Sequence, residues 1–160
     1  MDTTTKKKVL QLFPSPIFVI GCAHREAIHA FGGSWLGQCS FDPPIVWVGV
    51  RKGSRPETLL DVGRIFTISL LRADQIKMAK VFFKTPEPKH GHFGKVPFHL
   101  SPKGAPILDD CRAWVECRVV KKTAPGDHIL YYGEVVACGL DAEGEGEVLT
   151  TVTSGLKYGG

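Results

Sequence analysis

Residues 41–57 read FDPPIVWVGVRKGSRPE. Ile45–Val50 (IVWVGV) is almost wholly apolar, the pattern of a strand covered on both faces. Phe41, Asp42, Pro43 and Pro44 punctuate the chain before it. After it, Ser54 and Glu57 have the S-x-x-E spacing of a capping box, and Pro56 sits in the first turn, where its missing N–H costs little. A short helix through Val62 follows. The link Arg51-Lys52-Gly53 thus places two cations and a permissive glycine at a helix N-terminus, where N–H groups lack partners and the dipole is positive. Ser54 adds a hydroxyl. The combination reads as an anion site suited to phosphate; the same residues also read as an ordinary capped helix with solvated cations.

Upstream, Ile17–Ala23 (IFVIGCA) is a β-rich run, His24-Arg25-Glu26 reads as a turn, and residues 27–39 return through a glycine-broken stretch, giving a hairpin. Within it, Gly32–Cys39 (GGSWLGQC) offers backbone polar groups beside Trp35, an arrangement that can lie flat against a planar ligand. A β-bulge or barrel corner gives the same pattern. Thr3–Phe13 reads as one helix, with threonines to cap it, Val9, Leu10 and Phe13 on one apolar face, and Pro14 and Pro16 to stop it.

Downstream, Ile65–Leu71 is a strand, and Asp74–Phe83 carries helical spacing through Ile76, Ala79 and Phe83. Lys84–Pro106, rich in Pro, Gly, Lys and His, is long enough for a functional lid. Cys111–Val120 and His128–Cys138 form a second hairpin, Asp141–Glu147 an acidic turn, and the chain closes on a short strand and the tail GLKYGG. Gly126-Asp127-His128 puts a histidine beside a carboxylate at a strand start, either a proton-handling group or a turn residue with a structural hydrogen bond. About six strands and two or three short helices without βαβ alternation point to an all-β antiparallel barrel.

The chain has 160 residues, which suits a single domain over residues 1–160. Gly 18 and Pro 11 favour short elements joined by turns. The net charge of +4 is mild, and the cations are dispersed rather than striped with aromatics, which argues against nucleic acid. No run approaches the ~18 apolar residues of a membrane span. Five cysteines, scattered and without a C-x-x-C pair, fit a reducing cytoplasm better than a disulfide framework or zinc ribbon. No G-x-G-x-x-G follows a strand and no Walker A sequence is present. Gly32-Gly33-Ser34-Trp35-Leu36 lacks the last glycine of a nucleophile elbow. His90 and His92 lack a third ligand at recognisable spacing, so no metal is expected.

The ordered set Ser34-Trp35 through Ser40-Phe41-Asp42-Pro43-Pro44, then IVWVGV, Arg51-Lys52-Gly53-Ser54, Gly126-Asp127-His128 and Tyr158-Gly159-Gly160 resembles the flavin reductase-like FMN-binding split-barrel family, over Lys6 to Gly160. The resemblance implies an antiparallel Greek-key split barrel that pairs as a homodimer, with FMN near the interface. It implies Ser34, Trp35 and Leu36 facing the flavin ring largely through backbone, Gln38 and Cys39 near its edge or ribityl chain, and Arg51, Lys52 and Ser54 on the phosphate. It also implies His128 beside flavin and nicotinamide, and Phe83 and Tyr158 closing the pocket. Pro56 stands where members often carry threonine. The implied activity is an oxidoreductase taking a hydride from NADH or NADPH and passing electrons to free flavin or a protein such as a flavin-dependent oxygenase. An FMN electron carrier without nicotinamide activity and a flavin-free binding module are the alternatives.

Overall fold

A computed structural model describes residues 1–84, 86–141 and 146–157. Helix α1 (Thr3–Leu10) leads to strand β1 (Phe18–His24), which turns at Arg25 and returns as β2 (Ala27–Gly33). Strands β3 (Leu36–Ser40) and β4 (Ile45–Arg51), helix α2 (Arg55–Gly63) and strand β5 (Ile65–Leu70) follow. Helix α3 (Ile76–Val81) tightens into a 3₁₀ turn at Phe82–Lys84. Short strands β6 (Pro88–Lys89), β7 (His92–Phe93), β8 (Val96–Leu100) and β9 (Pro106–Leu108) precede the long hairpin β10 (Ala113–Thr123) and β11 (His128–Leu140), and α4 (Thr151–Ser154) comes last.

Seven strands pair in the order β2-β1-β5-β10-β11-β4-β3, every ladder antiparallel. Strands β2 and β3 therefore lie at opposite edges, although only Ser34 and Trp35 separate them in sequence. So short a link spans about 11 Å at most, and the sheet must curl until its edges nearly meet. No ladder joins them, so the barrel is split rather than closed, and Ser34-Trp35 crosses the seam.

Two apolar clusters hold this shape. The inner one unites Phe18, Ile20, Val48, Phe66, Ile129 and Tyr131 under Leu59 and Leu60 of α2. The outer one packs Val19, Ala30 and Leu71 against Phe82, Phe93, Ile107 and Leu108. The doubly covered strand is thus β1, where Phe18, Val19, Ile20 and Cys22 are all buried. The expectation that Ile45–Val50 fills this role is corrected: Val48 and Val50 are buried, while Trp47 and Gly49 are only half-buried. Strand β4 neighbours the edge, beyond the reach of the outer cluster.

Other local expectations shift for definable reasons. Asp2, not a threonine, caps α1 by accepting from the Thr5 N–H at 2.6 Å, and α1 buries no residue. The 3₁₀ turn rotates Phe82 into the core and leaves Phe83 exposed. The long loop expected over residues 84–106 is instead, over the described residues 86–106, largely a small sheet, β6-β7-β8-β9, pinned by buried Phe93, Val96 and Ala105, with the Phe93 and Phe98 rings stacked at 4.4 Å. The closing strand is reduced to single bridges, Pro16 with Thr150 and Arg72 with Val148. Residues 142–145 of the acidic turn lie outside the described residues.

Gly21, in the middle of β1, is where the small sheet touches the large one. A Cβ there would collide with the Pro106 carbonyl oxygen and stand 2.5 Å from Thr67 Oγ1. Thr67 Oγ1 itself donates to that carbonyl.

Candidate functional site at the seam

Trp35 lies on β4. Its carbonyl accepts from the Gly49 N–H at 3.0 Å, and a Cβ at Gly49 would stand 2.9 Å from Trp35 Cε3. Glycine inside an otherwise apolar strand often marks such a close approach. The Trp35 ring meets the His128 ring at 4.4 Å between centroids, tilted by 46°. Residue His128 opens β11 opposite Arg51 in the ladder. Its Nδ1–H donates to Asp127 Oδ1 at 2.8 Å, because a carboxylate can only accept, and this fixes the tautomer. The same hydrogen bond, together with the nearby histidine charge, holds the Asp127 carboxyl below the usual carboxylate range. The hairpin is tied to the turn after β4 by the Lys52 N–H, which donates to the Asp127 carbonyl at 3.0 Å.

The capping box at Ser54 is not formed. Ser54 Oγ donates back to the Arg51 carbonyl at 2.7 Å, and Glu57 Oε2 accepts from the Gly53 N–H at 2.5 Å instead of the Ser54 N–H. Gly53, at a φ of 73°, turns its amide toward that carboxylate. Of the anion site expected from the sequence, the groove itself is lined by Arg51 and by Ser54 and Pro56 at the N-terminal end of α2. Among the described residues neither Arg51 nor Lys52 forms an ion pair, whereas Arg55 is held by Glu87 at 2.5 Å.

A groove along the seam brings together Ser34, Trp35, Arg51, Ser54, Pro56 and His128. Ser34 Oγ is buried there with no hydrogen-bond partner among the described residues. An orphaned hydroxyl is costly unless something completes it, which suits the polar edge of a bound ligand. On one side the groove continues into a cavity of about 860 Å³ bounded by Leu36, Trp47 and Asp127 and, from the N-terminal arm, by Leu10 and Phe13. On the other it borders an apolar cleft of about 440 Å³ that includes Phe31, Phe83, Thr151 and Leu156.

Of the residues singled out from sequence, Ser34, Trp35, Leu36, Arg51, Ser54, Phe83 and His128 line these connected spaces. Lys52 is exposed beside them, and Tyr158 lies outside the described residues. Gln38 and Cys39 are exposed on β3; Gln38 donates to the Ser40 carbonyl at 3.1 Å and Cys39 to the Ile45 carbonyl at 3.6 Å. The sequence reading missed Gly49, whose place inside IVWVGV was the available signal. It also missed Leu10 and Phe13, which it took for the ordinary apolar face of a helix. Among the described residues no three His, Cys, Asp or Glu side chains gather as a metal site, and no helix is long and apolar enough to cross a membrane.

Comparison with known proteins agrees with this architecture. The NADH-dependent flavin reductase StyB of Pseudomonas fluorescens is 32% identical over 145 residues, 87% of this chain and 79% of that protein. Diflavin flavoprotein A 1 of Synechocystis sp. is 30% identical over 141 residues, 88% of this chain. The chain spans only about a quarter, 24%, of that relative's length. Among solved structures, the NADH:FAD oxidoreductase SgcE6 of Streptomyces globisporus superposes with a TM-score of 0.79 at 26% identity, covering 92% of this chain and 88% of that one. The model of the flavin reductase like domain matches residues 10–160, and the chain belongs to that family.

Proposed function

We propose that residues 1–160 form one domain that binds FMN along the seam and, as an oxidoreductase, transfers a hydride to it from NADH or NADPH. Electrons then pass to free flavin or to a protein acceptor such as a flavin-dependent oxygenase. The observation that carries this reading is the convergence of a cation, a helix N-terminus, an orphaned hydroxyl and the Trp35–His128 ring pair on one groove.

The flavin, when bound, supplies the hydride-accepting chemistry, and the chain supplies binding, orientation and exclusion of water. Arg51 and the start of α2 hold the phosphate, with Lys52 adding longer-range attraction. Ser34 Oγ gains the partner it lacks by facing the polar edge of the ring. The Trp35 carbonyl is committed to Gly49, so Trp35 contributes apolar surface and Leu36 extends it. Gln38 and Cys39 stand farther along β3, at the ribityl end of the proposal. Phe83 closes the far side, and Tyr158 is assigned there by resemblance alone. His128, its tautomer fixed by Asp127, presents a ring in one orientation to the nicotinamide. A second copy covering exposed Phe41 and Phe83 completes a homodimer, and the five free thiols suit a cytoplasmic setting.

The open volume beside His128 favours nicotinamide access over a closed electron carrier. The match to about a quarter of a diflavin flavoprotein supports the second reading, a domain reduced by another protein module. Absorption spectra of the purified protein from about 300 to 550 nm, followed by anaerobic addition of NADH and NADPH, separate the two through bleaching of the flavin band. No flavin band would reject both.

Two variants test the assignments. FMN is expected to bind more tightly than riboflavin, and Arg51→Ala to weaken FMN roughly 10-fold while sparing riboflavin, as loss of one charge-assisted contact requires. Equal affinities for the two flavins would remove the phosphate assignment. His128→Ala is expected to leave FMN affinity nearly unchanged and to slow flavin reduction at least about 10-fold, or ~1.4 kcal/mol in the barrier. Stopped-flow absorbance at about 450 nm reads this directly. A parental rate would return His128 to a structural role in its hairpin.

A further inference from the structure

We infer that the N-terminal arm, through Leu10 and Phe13, forms the outer wall of the cleft for the nicotinamide nucleotide and sets how tightly that nucleotide is held. The inference rests on the nicotinamide-dependent reading above. Helix α1 buries no residue, and Leu10 and Phe13 remain 40% and 64% exposed. The arm is nevertheless anchored where it joins the sheet. The Ser15 N–H donates to Thr151 Oγ1 at 3.1 Å, and the Thr151 N–H donates to the Ser15 carbonyl at 2.9 Å. From that anchor the arm carries Leu10 and Phe13 into the wall of the same cavity that Trp35, Trp47 and His128 line.

An apolar wall that faces a cavity and is not itself packed leaves favourable burial unused until a ligand enters. Aromatic groups on both sides suit a flat ring. The His128–Asp127 pair offers a polar edge beside them, while Arg51 is taken by the flavin phosphate. A planar heteroaromatic ring bearing a polar group satisfies both remaining features, and the nicotinamide ring with its carboxamide has that chemistry. A plain lipid chain would leave the His128–Asp127 edge unmatched. A second copy of this chain would cover Phe13 without needing the cavity behind it.

Phe13→Ala and Leu10→Ala remove wall surface from residues that are not part of either core, so folding is expected to survive. With FMN bound, each should raise the KM for NADH or NADPH about 5-fold or more, as loss of an aromatic or aliphatic ligand contact predicts. Maximal rate and FMN affinity should stay within about 2-fold. A readout without turnover is trypsin cleavage at Lys6, Lys7 and Lys8 of α1. In the parent, NAD⁺ should slow this cleavage several-fold, and in Phe13→Ala the protection should be lost. A parent reduced normally, with variants at parental KM and no NAD⁺ protection, overturns the wall while sparing the proposed function. Parental KM with a changed mass by light scattering assigns Phe13 to an interface between copies and likewise overturns it. A parent that neither nucleotide reduces removes the nicotinamide reading and the inference with it.

Discussion

Gly21→Ala is expected to lower the thermal unfolding midpoint by about 10 °C, corresponding to about 3 kcal/mol or more in a chain of this size. The added methyl would meet the Pro106 carbonyl and would stand 2.5 Å from Thr67 Oγ1 and 2.9 Å from Pro106 Cγ, all of them held in the buried junction between the two sheets. Neither side can yield cheaply. Strand β1 is hydrogen-bonded to neighbours on both sides, and Pro106 is fixed by buried Ala105 and Ile107. Relief by moving Pro106 would break the Thr67 hydrogen bond, at about 1 kcal/mol, and loosen the outer cluster. Gly126→Ala is the control: nothing lies within 4 Å of its Cβ position, so differential scanning calorimetry should find its midpoint unchanged. Equal midpoints for Gly21→Ala and the parent would mean that the two sheets do not touch at Pro106.

Acidification from pH 7 to pH 4 is expected to remove about 3 kcal/mol of stability through His29 alone. The residue is 4% exposed on β2, its Nδ1 has no partner among the described residues, and burial, reinforced by the Arg55 charge, lowers its pKa from 6.5 to about 4. Glu87, paired with Arg55, opposes the shift. Because the unfolded chain takes up the proton near pH 6.5 and the folded one resists until about pH 4, the unfolded state binds more protons throughout that window. The stability from a neutral His29 is therefore complete above the unfolded value and is lost as pH falls toward the folded one. Asp61 and Asp110 titrate below their usual 3.8, held down by Lys122, Tyr131 and Arg72, so their losses begin lower on the pH scale. Urea unfolding of His29→Gln, which cannot titrate, should show a flatter stability profile between pH 6.5 and pH 4 whatever its level at pH 7. Parallel profiles for parent and variant would assign the acid limb to other groups.

The turns and strands near the site were legible because punctuation is local. Arg25 turns where His24-Arg25-Glu26 was expected to turn, and His128 opens its strand directly after the Pro-Gly-Asp turn. What the sequence could not display was which strand receives a second layer. IFVIGCA and IVWVGV have the same apolar texture, but only the first has the small sheet on its outer face. That sheet was itself disguised, because prolines and glycines separate the few residues, Phe93, Val96, Ile107 and Leu108, that anchor it. The break of residues 27–39 at Ser34-Trp35 is a tertiary event in the same sense. The glycines announced a bend, but the edge-to-edge jump follows from a strand order that includes β10 and β11, far along the chain. After β4, the S-x-x-E spacing correctly marked a helix start. The competing acceptor and donor, Glu57 toward Gly53 and Ser54 toward Arg51, depended on the positive φ of Gly53, which no spacing rule encodes.

The hydrogen bonds between Ser15 and Thr151, with the Ile17 N–H donating to the Leu149 carbonyl at 2.8 Å, fasten the incoming and outgoing segments of the fold at one point, running from half-buried Ser15 and Thr151 to buried Ile17 and Leu149. Polypeptide added before or after this point would depart from a common root without threading through either sheet. The architecture is therefore suited to modular use, as a cassette grafted onto other machinery or working unattached. The seam adjoins that root, since Ile17 and Thr151 line the cleft next to Ser34, so anything grafted there would stand beside the groove.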